Sequence, residues 1–415
     1  MASPPGVGEH LGLSTSQVPK VAAIRCRAIL RDRQNLFMKG DSTINQLLYI
    51  IHSIRLSWTK GCITQGIFLD VSSAFDKVWH KGLLAKLKQN CISEKVLDLF
   101  TSYLQNRKQI VVVDGLKSQV KPVNEGIPQG SKLGPLLFLL YINDITENIE
   151  SDILIFADDT SLFANAKDPF ETAEILNRDL ARITAWALKW KVVFNADKST
   201  DIIFSNKYLN NSPPIIFNNE YVQRVNVHRH LGIYLSSNLS WSRQIHETCL
   251  RANRKLSVLR RVKYLKRHTL DILYKITVRS IIDYGLLLYY NNCSAKECAK
   301  FDQIQYNAAK LVTNTLHYTS KLKLNQELGW ESIQDRANSL GICLFNKILK
   351  GQTRPLVRTF MTEFDNNSTH DLRVKKPLKS FPFLGVHFSK SFYSYFTKMY
   401  NNIDKKTRNL PFSFT

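Results

Sequence analysis

The sequence predicts an α+β fold, in which an antiparallel β-sheet carries helices on one face in the split βαβ order. One observation is the order of patterns through residues 65–205, which is strand, helices, central hairpin, helix and strand. A second is the change to amphipathic helix after Trp241. A third is size, because 415 residues with 44% hydrophobic content can bury a large core in two or three domains.

The first half of the chain supplies most of the sheet. Apolar residues at three- and four-residue steps predict helices, and short apolar runs bounded by turn residues predict strands. In order, these are a helix at 44–54, a buried strand at 66–71, helices at 75–87 and 93–106, a hairpin at 109–123 turning at Asp114 and Gly115, a helix at 136–142 after a Gly/Pro-rich loop, and a central hairpin at 153–163.

The remaining elements are predicted from caps and short strands. Asp168 followed by Pro169 starts a helix. Strands are expected at 192–194 and 201–204, separated by residues 195–199, with further short strands at 215–235. The last predictions are basic helices from 243 to 279, a helix opened by a capping box at 294–297, and a helix at 332–349.

Composition changes most clearly near residue 240. We expect a flexible, unassigned N-terminus at 1–35, a sheet-bearing region at 36–240 and a helical region at 241–292. A C-terminal helical region at 293–350 and a basic, aromatic tail at 351–415 complete the predicted organisation.

The charge balance indicates a polyanionic partner. The chain has 57 Lys and Arg against 34 Asp and Glu, a net charge of +23, and such an excess favours nucleic acid. A soluble basic protein is the alternative. The seven cysteines lack C-x-x-C spacing, which predicts reduced thiols in an intracellular protein. The longest apolar run, 133–142, is far short of the ~20 residues that span a membrane, so no membrane partner is expected.

Three aspartates are candidates for metal chemistry. Asp158 and Asp159 lie together at the tip of the central hairpin, and Asp70 ends the strand at 66–71. Their repulsion costs stability, whereas hard divalent cations bind carboxylate oxygens. If the two strands are neighbours, the three carboxylates could share two ions ~3.5–4 Å apart, the arrangement used for nucleotidyl transfer. Taken singly, each aspartate could equally be a turn or cap residue.

Five segments resemble the palm motifs of reverse transcriptases, in the family's order. They are residues 68–76 (FLDVSSAFD), 126–135 (GIPQGSKLGP), 156–159 (FADD), 195–199 (NADKS) and the primer-grip segment 230–232 (HLG). Details at 75–80 and 308–312 resemble non-LTR retrotransposons, particularly the jockey-like group. The resemblance covers about residues 36–350. It implies a right-hand polymerase with partial fingers and a palm at 36–240, followed by a helical thumb.

The resemblance also implies a role for particular residues. Asp70, Asp158, Asp159 and the carbonyl of Val71 would bind two Mg²⁺ ions, with Mn²⁺ as a substitute. Lys198 would donate a proton to pyrophosphate, although a solvated surface lysine is the alternative. The basic helices after 243 would grip the phosphates of a duplex, or else form a solvated face.

Three further residues would contact the substrate. Phe75 would exclude a 2′-hydroxyl and so select deoxynucleotides, besides serving as a core residue. Gln129 and Gly130 would let the backbone approach the nucleotide and the template, and an ordinary Pro-Gly loop is the alternative. The implied partners are an RNA template, a DNA primer and dNTPs. The implied location is the nucleus, with the cytoplasm as an alternative.

Some family features are not recognisable in this sequence. Residues 1–35 resemble neither an endonuclease nor the basic fingers that hold the triphosphate, and no Cys/His knuckle appears downstream. We therefore expect an N-terminally truncated copy with weak or absent polymerase activity. A catalytically inactive nucleic-acid-binding remnant is the second hypothesis. An RNA-dependent RNA polymerase is the third, and Phe75 argues against it.

Overall fold

The computed structural model describes residues 40–90, 92–128, 130–131, 133–207, 211–315, 319–365 and 386–402. The chain groups into two compact units. Gln65–Asp201 and Leu209–Val225 belong to the first unit, and Thr43–Thr64, Ile202–Tyr208 and the chain from Asn226 onward belong to the second. The functional boundaries expected from composition remain predictions, because these units reflect packing alone.

The described residues form short and long strands. These are β1 (Ile63–Val71), β2 (Lys108–Gln109), β3 (Val112–Val113), β4 (Leu116–Lys117), β5 (Lys121–Pro122), β6 (Asp152–Phe156), β7 (Asp159–Ala166), β8 (Phe194–Phe204), β9 (Ile216–Phe217), β10 (Glu220–Tyr221), β11 (Gln223–Arg224), β12 (Val227–His230) and β13 (Ile233–Ser236).

Helices make up most of the remaining described chain. They are α1 (Thr43–Thr59), α2 (His80–Gln89), α3 (Glu94–Leu104), α4 (Gly134–Ile142), α5 (Pro169–Trp190), α6 (Ser242–Arg261), α7 (Arg267–Tyr274), α8 (Ser280–Asp283), α9 (Leu286–Tyr289), α10 (Ala295–Thr313), α11 (Lys321–Leu328), α12 (Ile333–Leu349), α13 (Pro355–Asp365), α14 (Val386–Ser389) and α15 (Phe392–Asn402), with a π-helical turn at Lys275–Arg279 between α7 and α8.

A five-stranded sheet organises the first unit in the order β11-β8-β1-β7-β6. Strands β6 and β7 form the predicted antiparallel hairpin, and β7 lies beside β1 as the metal hypothesis required. The α+β class is therefore confirmed. The expectation of a purely antiparallel sheet is wrong in one detail, because the two-residue edge strand β11 runs parallel to β8.

Helices α2 to α5 cover one face of this sheet. Ile67 and Leu69 of β1, Ile155 of β6 and Leu162 of β7 share one buried cluster with apolar side chains of these four helices. Alternate residues of a strand point to opposite faces. Asp70 and Asp159, which are out of phase with those core residues, therefore lie on the face away from the helices.

Two predicted boundaries are wrong next to this site. The helix expected from Phe75 begins only at His80, because Ser73 has a left-handed φ of 51° and its carbonyl accepts hydrogen bonds from the amides of Asp76 and Lys77 in a turn. The strands expected on either side of residues 195–199 are one continuous strand, β8. Asn195 is half-buried and Asp197 and Lys198 are exposed, and this polar stretch hid the strand pattern.

Several local predictions are confirmed. Asp168 caps α5 by accepting a hydrogen bond from the Phe170 amide, and Ser294 and Glu297 form the capping box of α10. The hairpin at 109–123 turns at Asp114 and Gly115, both with positive φ.

In the second unit, α1 packs against the C-terminal helices α13 and α14. The five cysteines that the structure describes are free thiols. No described helix has both the length and the apolar character needed to cross a bilayer.

Candidate active site

The three aspartates lie on adjacent strands. Asp70 is the penultimate residue of β1, and Asp159 is the first residue of β7, opposite Phe156. Asp158 lies in the two-residue turn between β6 and β7. The other turn residue, Ala157, is buried and has a φ of 59°, a conformation that disfavours any side chain. The tight turn therefore presents both carboxylates beside the end of β1.

The electrostatics of Asp159 indicate that the three acids interact. Loss of hydration is the main cause, the negative charges of Asp158 and Asp70 act in the same direction, and together they raise the pKa of Asp159 to about 6. Asp158 and Asp159 are exposed, and Asp70 is partly exposed. The cluster is therefore a set of repelling carboxylates open to solvent, in which a cation would relieve the repulsion.

The three carboxylates are chemically suited to bind a divalent metal ion. Carboxylate oxygens are the ligands that Mg²⁺ and Mn²⁺ prefer. Within the described ranges, no group of three or more His, Cys, Asp or Glu side chains is already gathered to enclose a metal ion. The three carboxylates are therefore neighbours that do not yet surround a single point, and binding of a cation would draw their side chains together.

Lys198 lies next to this cluster. Its Nζ is 4.0 Å from Oδ2 of Asp70, and its side chain is 69% exposed. The Lys198 amide donates a hydrogen bond to the side-chain oxygen of Asn195, and the Ser199 hydroxyl donates one to the Asn195 carbonyl. Asn195 therefore shapes the strand segment that carries the lysine, a role that the motif alone did not identify.

Phe75 lies in the loop between β1 and α2. Its ring is half-buried and packs against Phe138 of α4, with centroids 5.0 Å apart. The predicted core contact therefore exists, although the residue precedes the helix rather than belonging to it. The Ser72 amide donates a hydrogen bond to the Val193 carbonyl, which ties the start of this loop to the segment before β8.

The segment at 126–135 is joined to the Phe75 loop through its backbone. The Ile127 amide donates to the Phe75 carbonyl and the Gly126 amide to the Val78 carbonyl, at 2.8 and 2.9 Å. A ring nitrogen of His80 lies 2.7 Å from the Gly126 carbonyl. A Cβ on Gly126 would lie 2.7 Å from the Asp76 carbonyl oxygen, at a φ of +85°. Sequence reasoning missed Gly126 and His80, and a Gly-Ile-Pro turn after an edge strand was the available signal.

Of the two loop residues predicted to contact substrate, Gln129 lies outside the described residues. Gly130 is exposed with a φ of +75°, and a Cβ there would meet nothing within 4 Å. The positive φ, and not a lack of space for a side chain, therefore explains why glycine is favoured at position 130 in the free protein.

The other two predicted nucleic-acid elements lie in the second unit. Leu231 and Gly232 form the left-handed turn between β12 and β13, and the Tyr284 hydroxyl donates a hydrogen bond of 2.6 Å to the Leu231 carbonyl. Helix α6 and the residues after it expose a row of cations that form no ion pair within the described chain: Arg251, Arg254, Lys255, Arg260, Arg261, Lys263 and Lys266.

The sheet, its tight hairpin and the helices on one face define a polymerase palm followed by helical regions. Residues 17–246, more than half of the chain, match the family "Reverse transcriptase (RNA-dependent DNA polymerase)". The chain therefore belongs to the reverse transcriptase family.

Among relatives, the chain is 29% identical to the RNA-directed DNA polymerase from mobile element jockey of Drosophila melanogaster, over 76% of this chain and 35% of that protein. It is 27% identical to the probable RNA-directed DNA polymerase from transposon X-element of the same species, over 77% and 36%. The chain thus spans about a third of the length of these curated relatives. Among solved structures, apo telomerase from Candida tropicalis is 12% identical with a TM-score of 0.45, over 81% of this chain and 58% of that one.

Proposed function

We propose that this chain is an RNA-directed DNA polymerase that adds dNTPs to the 3′-hydroxyl of a DNA primer on an RNA template. The supporting observation is the approach of Asp70, Asp158 and Asp159 on neighbouring strands, where each carboxylate affects the protonation of Asp159. Membership of the reverse transcriptase family and the basic surface of α6 support the same function.

The carboxylates of Asp70, Asp158 and Asp159 and the carbonyl of Val71 are the groups that would hold the metal ions. When bound, two Mg²⁺ ions lower the pKa of the attacking hydroxyl and stabilise charge on the phosphorus and the leaving pyrophosphate. Asp159 must be deprotonated to act as a ligand, so occupancy of the site falls as the pH drops through about 6.

The other residues position the substrate and move a proton. Lys198 is an exposed ammonium group 4.0 Å from Asp70, and we assign to it the role of donating a proton to pyrophosphate. Phe75, held by Phe138, would occupy the space of a ribose 2′-hydroxyl and so select deoxynucleotides. The backbone link between the Phe75 loop and Gly126 keeps this ring in place.

Primer extension on poly(rA)/oligo(dT) with Mg²⁺ and dTTP tests the proposal. The full chain should show at least weak extension of the primer, and Asp158→Ala/Asp159→Ala should show none. Equal incorporation by both proteins, including none, contradicts the enzymatic proposal. A gel shift with the same substrate would then show whether the chain keeps a nucleic-acid-binding role.

A further inference from the structure

A β-ribbon of residues 108–122 stands apart from the core of the first unit. Every residue in it is exposed. Six of these residues are aliphatic, and their exposed fractions are far above those of core side chains: Ile110 45%, Val111 60%, Val112 54%, Val113 62%, Leu116 79% and Val120 61%. An apolar surface of this kind marks an interaction site more often than a chance exposure.

The ribbon is regular enough to present these side chains in a fixed array. Its tip is the antiparallel pair β3–β4, and its base is the pair β2–β5. Two residues separate β2 from β3, whereas three separate β4 from β5, so the returning strand contains a bulge. Ser118 stabilises this irregular middle, because its amide donates to the Val111 carbonyl and its hydroxyl accepts from the Val111 amide, both at 2.9 Å.

The charges of the ribbon are one-sided. Lys108, Lys117 and Lys121 are exposed and form no ion pair within the part of the chain that the structure describes, and Asp114 at the turn is the one acidic residue of the ribbon. Val112 lies directly opposite Lys117. Apolar and cationic side chains therefore lie close together on the same narrow element, which suits a partner that is both anionic and partly apolar.

We propose that this ribbon binds in the major groove of duplex DNA. A groove ~12 Å wide admits a two-stranded β-ribbon, thymine methyl groups offer apolar contacts, and the flanking phosphates pair with lysines. The ribbon contains none of the three aspartates of the carboxylate site, so this inference does not depend on polymerase activity.

Two other occupants fit the ribbon less well. A second copy of this chain would bring the three lysines of each ribbon together, and like charges in direct register are unfavourable. In duplex RNA the major groove is too narrow for side chains, and the wide minor groove presents polar 2′-hydroxyls to aliphatic residues.

Substituting deoxyuridine for thymidine tests the apolar contact directly, because it removes only the groove-facing methyl groups. Binding of the full chain to a labelled A·T-rich duplex, followed by anisotropy, should weaken by about four-fold for each methyl group that the ribbon buries. Val113→Thr/Leu116→Thr should bind both duplexes equally. The control Leu188→Gln/Ile216→Thr removes two exposed aliphatics elsewhere and should keep the preference. No preference in the wild-type chain overturns the proposal.

The lysines are tested by salt dependence. Lys117→Gln/Lys121→Gln should weaken duplex DNA binding and reduce the slope of log Kd against log salt concentration by about two. The control Lys81→Gln/Lys88→Gln, with two exposed lysines of α2 removed, should leave that slope within error. An equal effect of both pairs would mean that only overall charge matters, and it would contradict the proposal.

Limited trypsin digestion locates the contact. Trypsin should cut after Lys108 and Lys117 early in the free chain, and duplex DNA should protect both sites, with weaker protection by duplex RNA. Protection that depends on protein concentration without nucleic acid would instead indicate self-association and overturn the proposal. Asp158→Ala/Asp159→Ala should be protected like the wild type, which separates this result from any failure of polymerase activity.

Discussion

Asp159 links the protonation of the candidate site to the stability of the fold. Its pKa is raised from 3.8 to about 6 in the folded chain, so folding favours the protonated form. The stabilisation this provides is complete below about pH 4 and is lost as the pH rises through about 6.

We therefore predict that Asp159→Asn changes the pH dependence of stability. Without divalent ions, the Tm of the variant should rise relative to that of the wild type between pH 4 and 7, because the variant never acquires the repelling charge. Mn²⁺ should raise the Tm of the wild type above pH 6 and have less effect on the variant. Parallel Tm profiles for the two proteins, measured by differential scanning fluorimetry, would contradict this account.

Two glycines of the segment at 126–135 provide a matched test of steric demand. Gly126 and Gly130 both have positive φ, but only at Gly126 would a Cβ clash, with the Asp76 carbonyl oxygen. Gly130→Ala should cost about 1 kcal/mol from conformation alone. Gly126→Ala should cost clearly more and should also impair primer extension, since it displaces the Phe75 loop. Similar unfolding free energies in urea would show that this loop link is unimportant.

Phe75 should govern sugar selection. Phe75→Ala should lower the ratio of kcat/KM for dTTP to that for UTP by roughly ten-fold or more, because the ring that excludes a 2′-hydroxyl is gone. Phe138→Leu is the control, since it loosens the packing of Phe75 while keeping its ring. An unchanged ratio in Phe75→Ala would assign the residue to the core alone.

At the level of elements, a buried lysine fastens α2 to the helices beside it. Lys86 is 2% exposed, and its Nζ donates to the Tyr141 carbonyl and to Asp144, both at 2.5 Å. The Nζ also lies 4.0 Å from the Trp190 ring centroid. Burial lowers the pKa of Lys86 to about 8, and the nearby Asp144 carboxylate partly offsets this effect. The charged form of Lys86 therefore depends on Asp144.

Removing the Asp144 carboxylate should therefore destabilise the fold more than removing the charge of Lys86. Asp144→Asn leaves a buried cation without its counter-ion and should destabilise the fold by about 3 kcal/mol or more. Lys86→Met replaces the charge with an apolar chain of similar size and should cost less. Urea unfolding at pH 7 measures both, and the opposite order would contradict the assigned role of this ion pair.

Sequence patterns predicted elements well where burial alternates cleanly. The hairpin β6–β7 and the capped helix α5 were found because apolar spacing and Asp168 gave local signals. The pattern failed at Phe75, where an apolar residue packs from a loop, and at Asp197 and Lys198, where a strand exposes charged side chains. Such features depend on tertiary hydrogen bonds, as between Ser72 and Val193, which no local pattern encodes.

At the scale of the whole molecule, part of the tail beyond residue 350 is structural. His52 of α1 is 2% exposed, and its ring lies 4.2 Å from that of Phe360 and 4.6 Å from that of Tyr393. The Tyr393 hydroxyl donates a hydrogen bond to the Val357 carbonyl. Sequence reasoning assigned this tail no organisation, because its aromatic residues pack against α1, about 300 residues earlier.

We predict that ending the chain at Lys350 destabilises it. The buried face of α1 would lose its aromatic partners, so the Tm should fall and the shortened protein should aggregate. Ending the chain at Asn402 keeps α13 to α15 and is the control. Equal Tm values for the two shortened chains would show that α1 does not need these helices.

The most direct test of the carboxylate site is Mn²⁺ binding measured by electron paramagnetic resonance. The full chain would carry an RNA template, a dideoxy-terminated primer and the matching dNTP. We predict two bound ions, with affinity falling as the pH is lowered through about 6, and loss of binding in Asp70→Asn and in Asp158→Asn/Asp159→Asn. Unchanged Mn²⁺ binding in these variants would contradict the assignment of the metal site to these three aspartates.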